Sequence, residues 1–263
     1  VKRKIKPSKS VNVSFVGKYV DLKDAYFSLT EALDHAGINN DTKVNINFVS
    51  SDELNNKNYS SKLKKSDAIL VPGGFGGRGI EGMILAAKYA REKKVPYFGI
   101  CLGLQIAIIE IARNLCRLKD ANSTEFKPRT KHKVISLITE WKNEDGSIEK
   151  RDKNSDKGGT MRLGAQKAKL KKNSLAHKLY KKTNIFERHR HRYEVNPEYI
   201  SELEKKGLLI SARSEIHNLV EIIGIKNHPW YLGCQFHPEF TSKPKTGHPL
   251  FNDFIKTAVK LKR

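Results

Sequence analysis

Two four-residue apolar runs, Ala68–Val71 (AILV) and Tyr97–Ile100 (YFGI), break directly into glycine-bearing turns and then into helical periodicity. An apolar run without polar alternation suits a strand covered on both faces. Strand, turn and helix repeating at this spacing predict parallel strands joined by crossover helices. The first run opens into Pro72-Gly73-Gly74-Phe75-Gly76-Gly77-Arg78-Gly79 and a helix over about 80–94; the second opens into Cys101 and a helix over 102–114. Upstream, NVSFV (12–16) reads as a buried strand ending at Gly17. Ala25, Leu29, Ala32, Leu33 and Ala36 mark a helical face over 24–36 that Gly37 ends, and Val44, Ile46 and Phe48 alternate as in a strand. After about Asn122 the pattern shifts to strand-like pieces at 134–138, 208–212, 220–225 and 231–235, with helical periodicity returning over 249–261. The fold class expected is α/β, a doubly wound, mostly parallel sheet with flanking helices.

Residues 1–10 are basic, contain Pro7 and lack apolar periodicity, so they read as a linker, with one domain over 11–263. The polar stretch 144–159 reads as a mobile surface loop. Apolar residues make up 38% of the chain, enough for one core, and the longest apolar runs are far too short to span a bilayer. No signal peptide is evident, and three cysteines, Cys101, Cys116 and Cys234, argue for a reducing compartment rather than a disulfide framework. Cytosolic localisation is the expectation. The net charge of +22 raises the question of nucleic acid. The lysines are scattered, however, without interleaved aromatic residues or a nucleic-acid-binding signature, so no nucleic-acid partner is expected. Cys116 and Cys234 read as buried small hydrophobes.

Gly99-Ile100-Cys101-Leu102-Gly103 falls where a buried strand turns into a helix, the thiol version of a nucleophile elbow. A sharp turn there forces the nucleophile into a strained backbone, leaves no room for side chains two residues either side, and lifts an exposed sulfur to the mouth of the sheet. The following helix N-terminus favours thiolate over thiol. Downstream, YLGCQF (231–236) reads as a buried strand with His237-Pro238-Glu239 at its end. In extended backbone residues two apart share a side, so Glu239 can address the imidazole of His237 and complete a Cys-His-acid relay. Gly73 and Gly74 follow another buried strand and can present backbone N–H groups to an oxyanion, with the amide of Leu102 as second donor. The glycine loop has no G-x-x-x-x-G-K-[ST] and does not complete a dinucleotide fingerprint, which weighs against phosphate binding. No metal site is expected.

FGICLGLQ around Cys101 together with CQFHPEF around His237 resembles the class I (triad) glutamine amidotransferases. Within them the chain resembles the glutaminase domains of CTP synthases, through VGKYVDLKDAYFSLTEALDHAG (16–37), VPGGFGGRGIEGMI (71–84), KDANSTEF (119–126), GGTMRLGAQ (158–166), RHRHRYEVN (188–196) and FHPEFTSKP through HPLF (236–251). The two site motifs specify only the superfamily; GGTMRLG and RHRHRYEVN single out the CTP synthases. The resemblance implies a flavodoxin-like core and hydrolysis of L-glutamine to glutamate and ammonia. Cys101 would be the nucleophile, His237 the acid and base, Glu239 its orienting partner, and Gly74 and Leu102 the oxyanion hole. Gly74, Leu102, Gly103, Leu104 and Gln105 would line the glutamine site, with Glu125 on the substrate ammonium and Arg192 forked onto its carboxylate. Phe75, Arg78 and Glu81 lie in what resembles a lid loop near which GTP activates this family.

The resemblance also implies an N-terminal synthetase domain before the linker, which would use ATP, Mg2+ and UTP and assemble as a homotetramer at full length. No phosphate-binding loop for ATP occurs in the 263 residues, and the glutaminase half itself needs no cofactor. Lys127 after STEF, Leu104 beside Cys101 and Cys234 depart from the usual pattern without removing a catalytic group.

Overall fold

The computed structural model describes residues 6–18, 20, 23–137, 140–142, 148–150 and 161–262. A nine-stranded sheet organises them. Its strands are β1 (Lys9–Gly17), β2 (Thr42–Ser50), β3 (Ala68–Val71), β4 (Tyr97–Ile100), β5 (Arg162–Leu170), β6 (Asn184–His191), β7 (Leu208–Ser214), β8 (Val220–Ile225) and β9 (Tyr231–Cys234), in the order β6-β5-β7-β8-β9-β4-β3-β1-β2. From β2 to β9 the neighbours pair parallel, the 2-1-3-4 order of a doubly wound flavodoxin-like core with β9 as its fifth strand. Beyond β9 the sheet continues as an antiparallel extension through β8, β7, β5 and β6.

Helices cover both faces of the parallel half, which is why β3 and β4 are apolar at every position and buried throughout. Four carry most of the packing: α1 (Phe27–Asn39), α2 (Ile80–Lys93), α3 (Leu102–Asn114) and α4 (Pro249–Leu261). One face holds α1 and α4, where Leu29, Leu33, Phe251 and Phe254 pack on Phe15, Leu70 and Phe98. The other holds α2 and α3, where Met83, Ile84, Leu104 and Ile108 pack on Ile69 and Val71. Among the described residues no helix is long and apolar enough to cross a membrane.

Several boundaries move. Lys9 and Ser10, assigned to the linker from sequence, are the first residues of β1 and pair with Thr42 and Lys43, because backbone pairing there needs no apolar side chain. Gly37 does not end its helix, which runs to Asn39. A Cβ on it would lie 2.6 Å from the carbonyl oxygen of Thr42, so glycine serves close approach to β2. Of the stretch expected to be a loop over 144–159, the described part, Ile148–Lys150, is a strand paired with Glu140–Lys142; the remainder lies outside the described residues. Thr160 of the GGTMRLG motif does too.

Candidate active site

Three adjacent parallel strands end at one place. β4 delivers Cys101, β3 delivers Gly73 and Gly74, and β9 leads through Gln235 to His237. Cys101 has φ 53° and ψ −101°, a conformation rare for any residue with a Cβ, and its N–H donates to Cys234 O at 2.7 Å. The flanking glycines fit the elbow, though their neighbours differ from each other. A Cβ on Gly99 would lie 2.5 Å from Gly103 O, whereas one on Gly103 would strike the carbonyl oxygen of Val71 on β3. The sulfur is not exposed as the sequence suggested: Cys101 is 3% exposed and sits in the wall of a cavity of about 330 Å3 shared with Gly73, Gly74, Phe75, Arg190 and His237. A larger cavity, about 690 Å3, opens beside Leu170, Ile210 and Arg213 but contains neither a thiol nor an imidazole.

His237 Nδ1 lies 2.7 Å from Glu239 Oε1, and the ring stacks on Phe240 at 5.5 Å. The residues between are not extended. Pro238 opens a single 3-10 turn, Pro238–Thr241, and the turn rather than strand alternation brings the carboxylate back to the ring. Burial disfavours the charged imidazole. The charge of Cys101, a hydrogen bond to its side chain and the Glu239 contact outweigh that and raise His237 to about 10. Gly73 shows how tightly His237 and Cys101 are gathered: a Cβ there would lie 2.8 Å from His237 Cε1 and 3.5 Å from Cys101 Cβ. At Gly74 the nearest atom would be Leu102 Cδ2 at 3.4 Å, so the two residues expected to present oxyanion donors are neighbours across the turn.

The residues expected to hold an amino acid lie close to Tyr193 and the glycine loop. Gln105 is buried, with Nε2 donating to Tyr193 O at 3.0 Å. Arg192 keeps Nε buried with no hydrogen-bond partner. Burial raises the Glu125 carboxyl, against the Gly76 N–H at 2.7 Å and the charges of Lys18 and Arg192. Leu104 is fully buried in the core. The glycine loop is tied down by a residue that sequence reasoning passed over. Lys18, 4% exposed just after β1, donates through Nζ to Phe75 O at 3.0 Å and to Gly76 O, and burial lowers it to about 8. Phe75 is half exposed. Arg78 donates to Lys18 O at 2.7 Å and lies 3.6 Å from Asp52, while Glu81 pairs with Arg113 at 2.8 Å.

The sequence model of the family described as "Glutamine amidotransferase class-I" matches residues 21–257. The chain belongs to the class I glutamine amidotransferases. It is similar to the glutaminase domain of Trypanosoma brucei CTPS, solved with bound acivicin, at 38% identity and a TM-score of 0.85, over 95% of this chain and 94% of that one. Looser likenesses, both at a TM-score of 0.48, join it to a glutamine amidotransferase from Thermotoga maritima (9% identity, 96% of this chain and 99% of that one) and to one from Methylobacillus flagellatus (11%, 88% and 71%).

This amidotransferase also carries a buried polar cluster that sequence reasoning missed. Arg162 bridges Glu194 at 3.0 Å and Glu221 at 2.6 Å and donates to Gln166 at 2.8 Å. Burial pushes both carboxyls up, against the pull of Arg162, and drives His189 and His191 down. The ring contacts assign the hydrogens. His191 Nδ1 donates to Tyr193 O at 3.3 Å, so its Nε2 accepts from His189 Nδ1 at 2.9 Å, and His189 Nε2 is left as an acceptor 3.7 Å from Glu221 Oε2. Tyr193 O is thus shared by His191 and Gln105, joining the cluster to a residue expected to hold an amino acid. The sequence signal was present in RHRHRYE, whose alternate histidines point inward. Cys116 and Cys234 are buried free thiols as expected; burial, then Glu202, raises Cys116 to about 11, and burial, then Glu239, raises Cys234 well above the usual thiol range.

Proposed function

We propose that this chain is the glutaminase part of a CTP synthase and hydrolyses L-glutamine through Cys101, His237 and Glu239. The supporting observation is the gathering of His237 and Cys101 around Gly73, whose Cβ would lie 2.8 Å from His237 Cε1 and 3.5 Å from Cys101 Cβ, with Glu239 2.7 Å from the ring. The Cys101 thiolate attacks the side-chain carboxamide carbon, and the negative oxygen faces the N–H groups of Gly74 and Leu102. His237 gives its proton to the departing nitrogen, releasing ammonia and leaving a thioester. Water then attacks the thioester carbon, His237 takes a proton from it, the carbon–sulfur bond breaks with its electron pair on sulfur, and glutamate leaves. Arg192, with a buried donor unmet, suits the substrate carboxylate, and Glu125 suits its ammonium.

The glutaminase reaction needs no cofactor in this scheme. Among the described residues no group of three or more His, Cys, Asp or Glu side chains could hold a metal ion. ATP, Mg2+ and UTP belong to a synthetase domain that would take up the ammonia and aminate UTP to CTP, in the cytosol and in a homotetramer. GTP would act at the loop bearing Phe75, Arg78 and Glu81. The test is acivicin labelling with peptide mapping, alongside ammonia release from glutamine. Label should fall on Cys101, excess glutamine should protect it, and Cys101→Ala should abolish both labelling and ammonia release. Label on Cys116 or Cys234 instead would overturn the assignment.

A further inference from the structure

We propose that Gln235 is a further catalytic residue of this site: its side-chain amide donates to the Cys101 sulfur and holds it as thiolate, both as nucleophile and as the group expelled from the thioester. The proposal rests on the glutaminase reading above and extends it to a residue outside the three-membered relay.

Gln235 is completely buried, and its Nε2 lies 3.9 Å from Cys101 Sγ, within the reach of an N–H···S hydrogen bond. The backbone allows little freedom in that aim. Gln235 N–H donates to Glu221 O at 2.9 Å, and the neighbouring Cys234 O accepts from Cys101 N–H at 2.7 Å, so both ends of the contact are tied into the same sheet edge. Which way the amide points follows from charge. A sulfur anion accepts hydrogen bonds and repels a carbonyl oxygen; turning the amide round would set oxygen against sulfur and bury two N–H hydrogens elsewhere. Oε1, at the other end, is buried without a hydrogen-bond partner, so no competing bond to Oε1 fixes this side chain.

The chemistry gives this donor a role that His237 cannot fill alone. In the first half-reaction His237 surrenders its proton to ammonia and becomes neutral. In the second, the electron pair of the carbon–sulfur bond returns to sulfur. An amide N–H has no proton to lose at these pH values, so it favours the anion throughout both half-reactions. Hydrogen bonds to a charged group are worth enough to change an equilibrium about tenfold or more. His237, Glu239 and Arg190 share the cavity of this sulfur and Cys234 lies beside it, and a substitution at 235 leaves all four in place.

The experiment uses the 263-residue chain and Gln235→Met, which keeps the length of the side chain and removes the donor. Iodoacetamide alkylation of Cys101, mapped by peptide and followed from pH 5 to 10, should be about tenfold slower at pH 7 in the variant, with its rate profile displaced to higher pH. With glutamine, kcat should fall while KM stays within about twofold, since the amide touches sulfur and not the substrate's amino-acid end. A merely structural role would lower the melting temperature without displacing the profile. In the wild-type chain the side-chain amide resonance of Gln235 should move when Cys101 is alkylated, and this reading stands even if the variant does not fold. Superimposable profiles in a folded variant, or a Gln235 amide signal that stays put, would overturn the proposal. Should wild-type Cys101 itself escape acivicin, or label without glutamine protection, the glutaminase reading fails instead.

Discussion

Replacing Gly73 by alanine tests the proposed catalytic geometry at its tightest point. The added methyl would begin 2.8 Å from His237 Cε1, 3.7 Å from its Nδ1 and 3.5 Å from Cys101 Cβ. Carbon atoms settle at about 3.5 Å or more, so the ring must retreat by roughly 0.7 Å. It cannot do so freely, because Glu239 holds it at 2.7 Å on one side and Phe240 stacks against its face. Misplacing a catalytic group by about 1 Å costs on the order of 100-fold in rate. A loss of about 30- to 100-fold in kcat/KM is therefore expected, equivalent to about 2–3 kcal/mol on the barrier. Folding should suffer little, since the φ of Gly73 lies outside the left-handed region and alanine can adopt it. The assay pairs ammonia release from glutamine with thermal melting. By contrast, a Cβ on Gly76 meets nothing within 4 Å, and its φ of 77° makes alanine there cost about 1 kcal/mol of stability. A folded Gly73→Ala protein with undiminished glutaminase activity would refute the claim that His237 acts from where it stands.

Glu239→Gln should weaken the hold on the His237 proton. Because His237 is raised to about 10 in the folded chain, its stabilisation is complete below the unfolded value near 6.5 and fades as pH climbs through about 10. The unfolding free-energy gap between wild type and variant, read by urea titration at several pH values, should narrow over that window. Lys18→Met removes the donor to Phe75 O and Gly76 O and should raise KM for glutamine several-fold with the melting temperature nearly kept; an unchanged KM would count against the loop's part in binding. Arg162→Met leaves Glu194 and Glu221 buried without their shared cation, so unfolding stability should drop by about 3–5 kcal/mol, more at pH 8 than at pH 5. Equal loss at both pH values would show that packing, not charge, is responsible.

The parallel half of the fold was legible because its residues have one job each. β3 and β4 are apolar at every position since helices cover both faces, and α3 runs over the residues its periodicity marked. The antiparallel extension was legible only in part: β7 and β8 cover the strand-like pieces read at 208–212 and 220–225, whereas β5 and β6 went unread. Along β6 the inward positions are Ile185, Glu187, His189 and His191, whereas Phe186 is 64% exposed, so the usual apolar-inward alternation is broken by the buried polar cluster. The pairing of His237 with Glu239 could be read from HPE, yet the reason they meet was misjudged, because Pro238 favours a tight turn that no alternation rule anticipates. Lys18 and Gln235 were invisible for a plainer reason. A lysine after a strand and a glutamine before an aromatic residue are ordinary in sequence, and only their burial makes them unusual.

The left-handed bend at Cys101 sets activity against durability. A side chain held at φ 53° and ψ −101° sits about 1–3 kcal/mol above a relaxed backbone, and the surrounding sheet must absorb that in every molecule, working or idle. Glycine at 101 should therefore melt later than the native chain while being chemically inert. Laboratory selection for heat resistance alone would tend to erase Cys101, so thermostabilised descendants of this domain should be screened for turnover at each round.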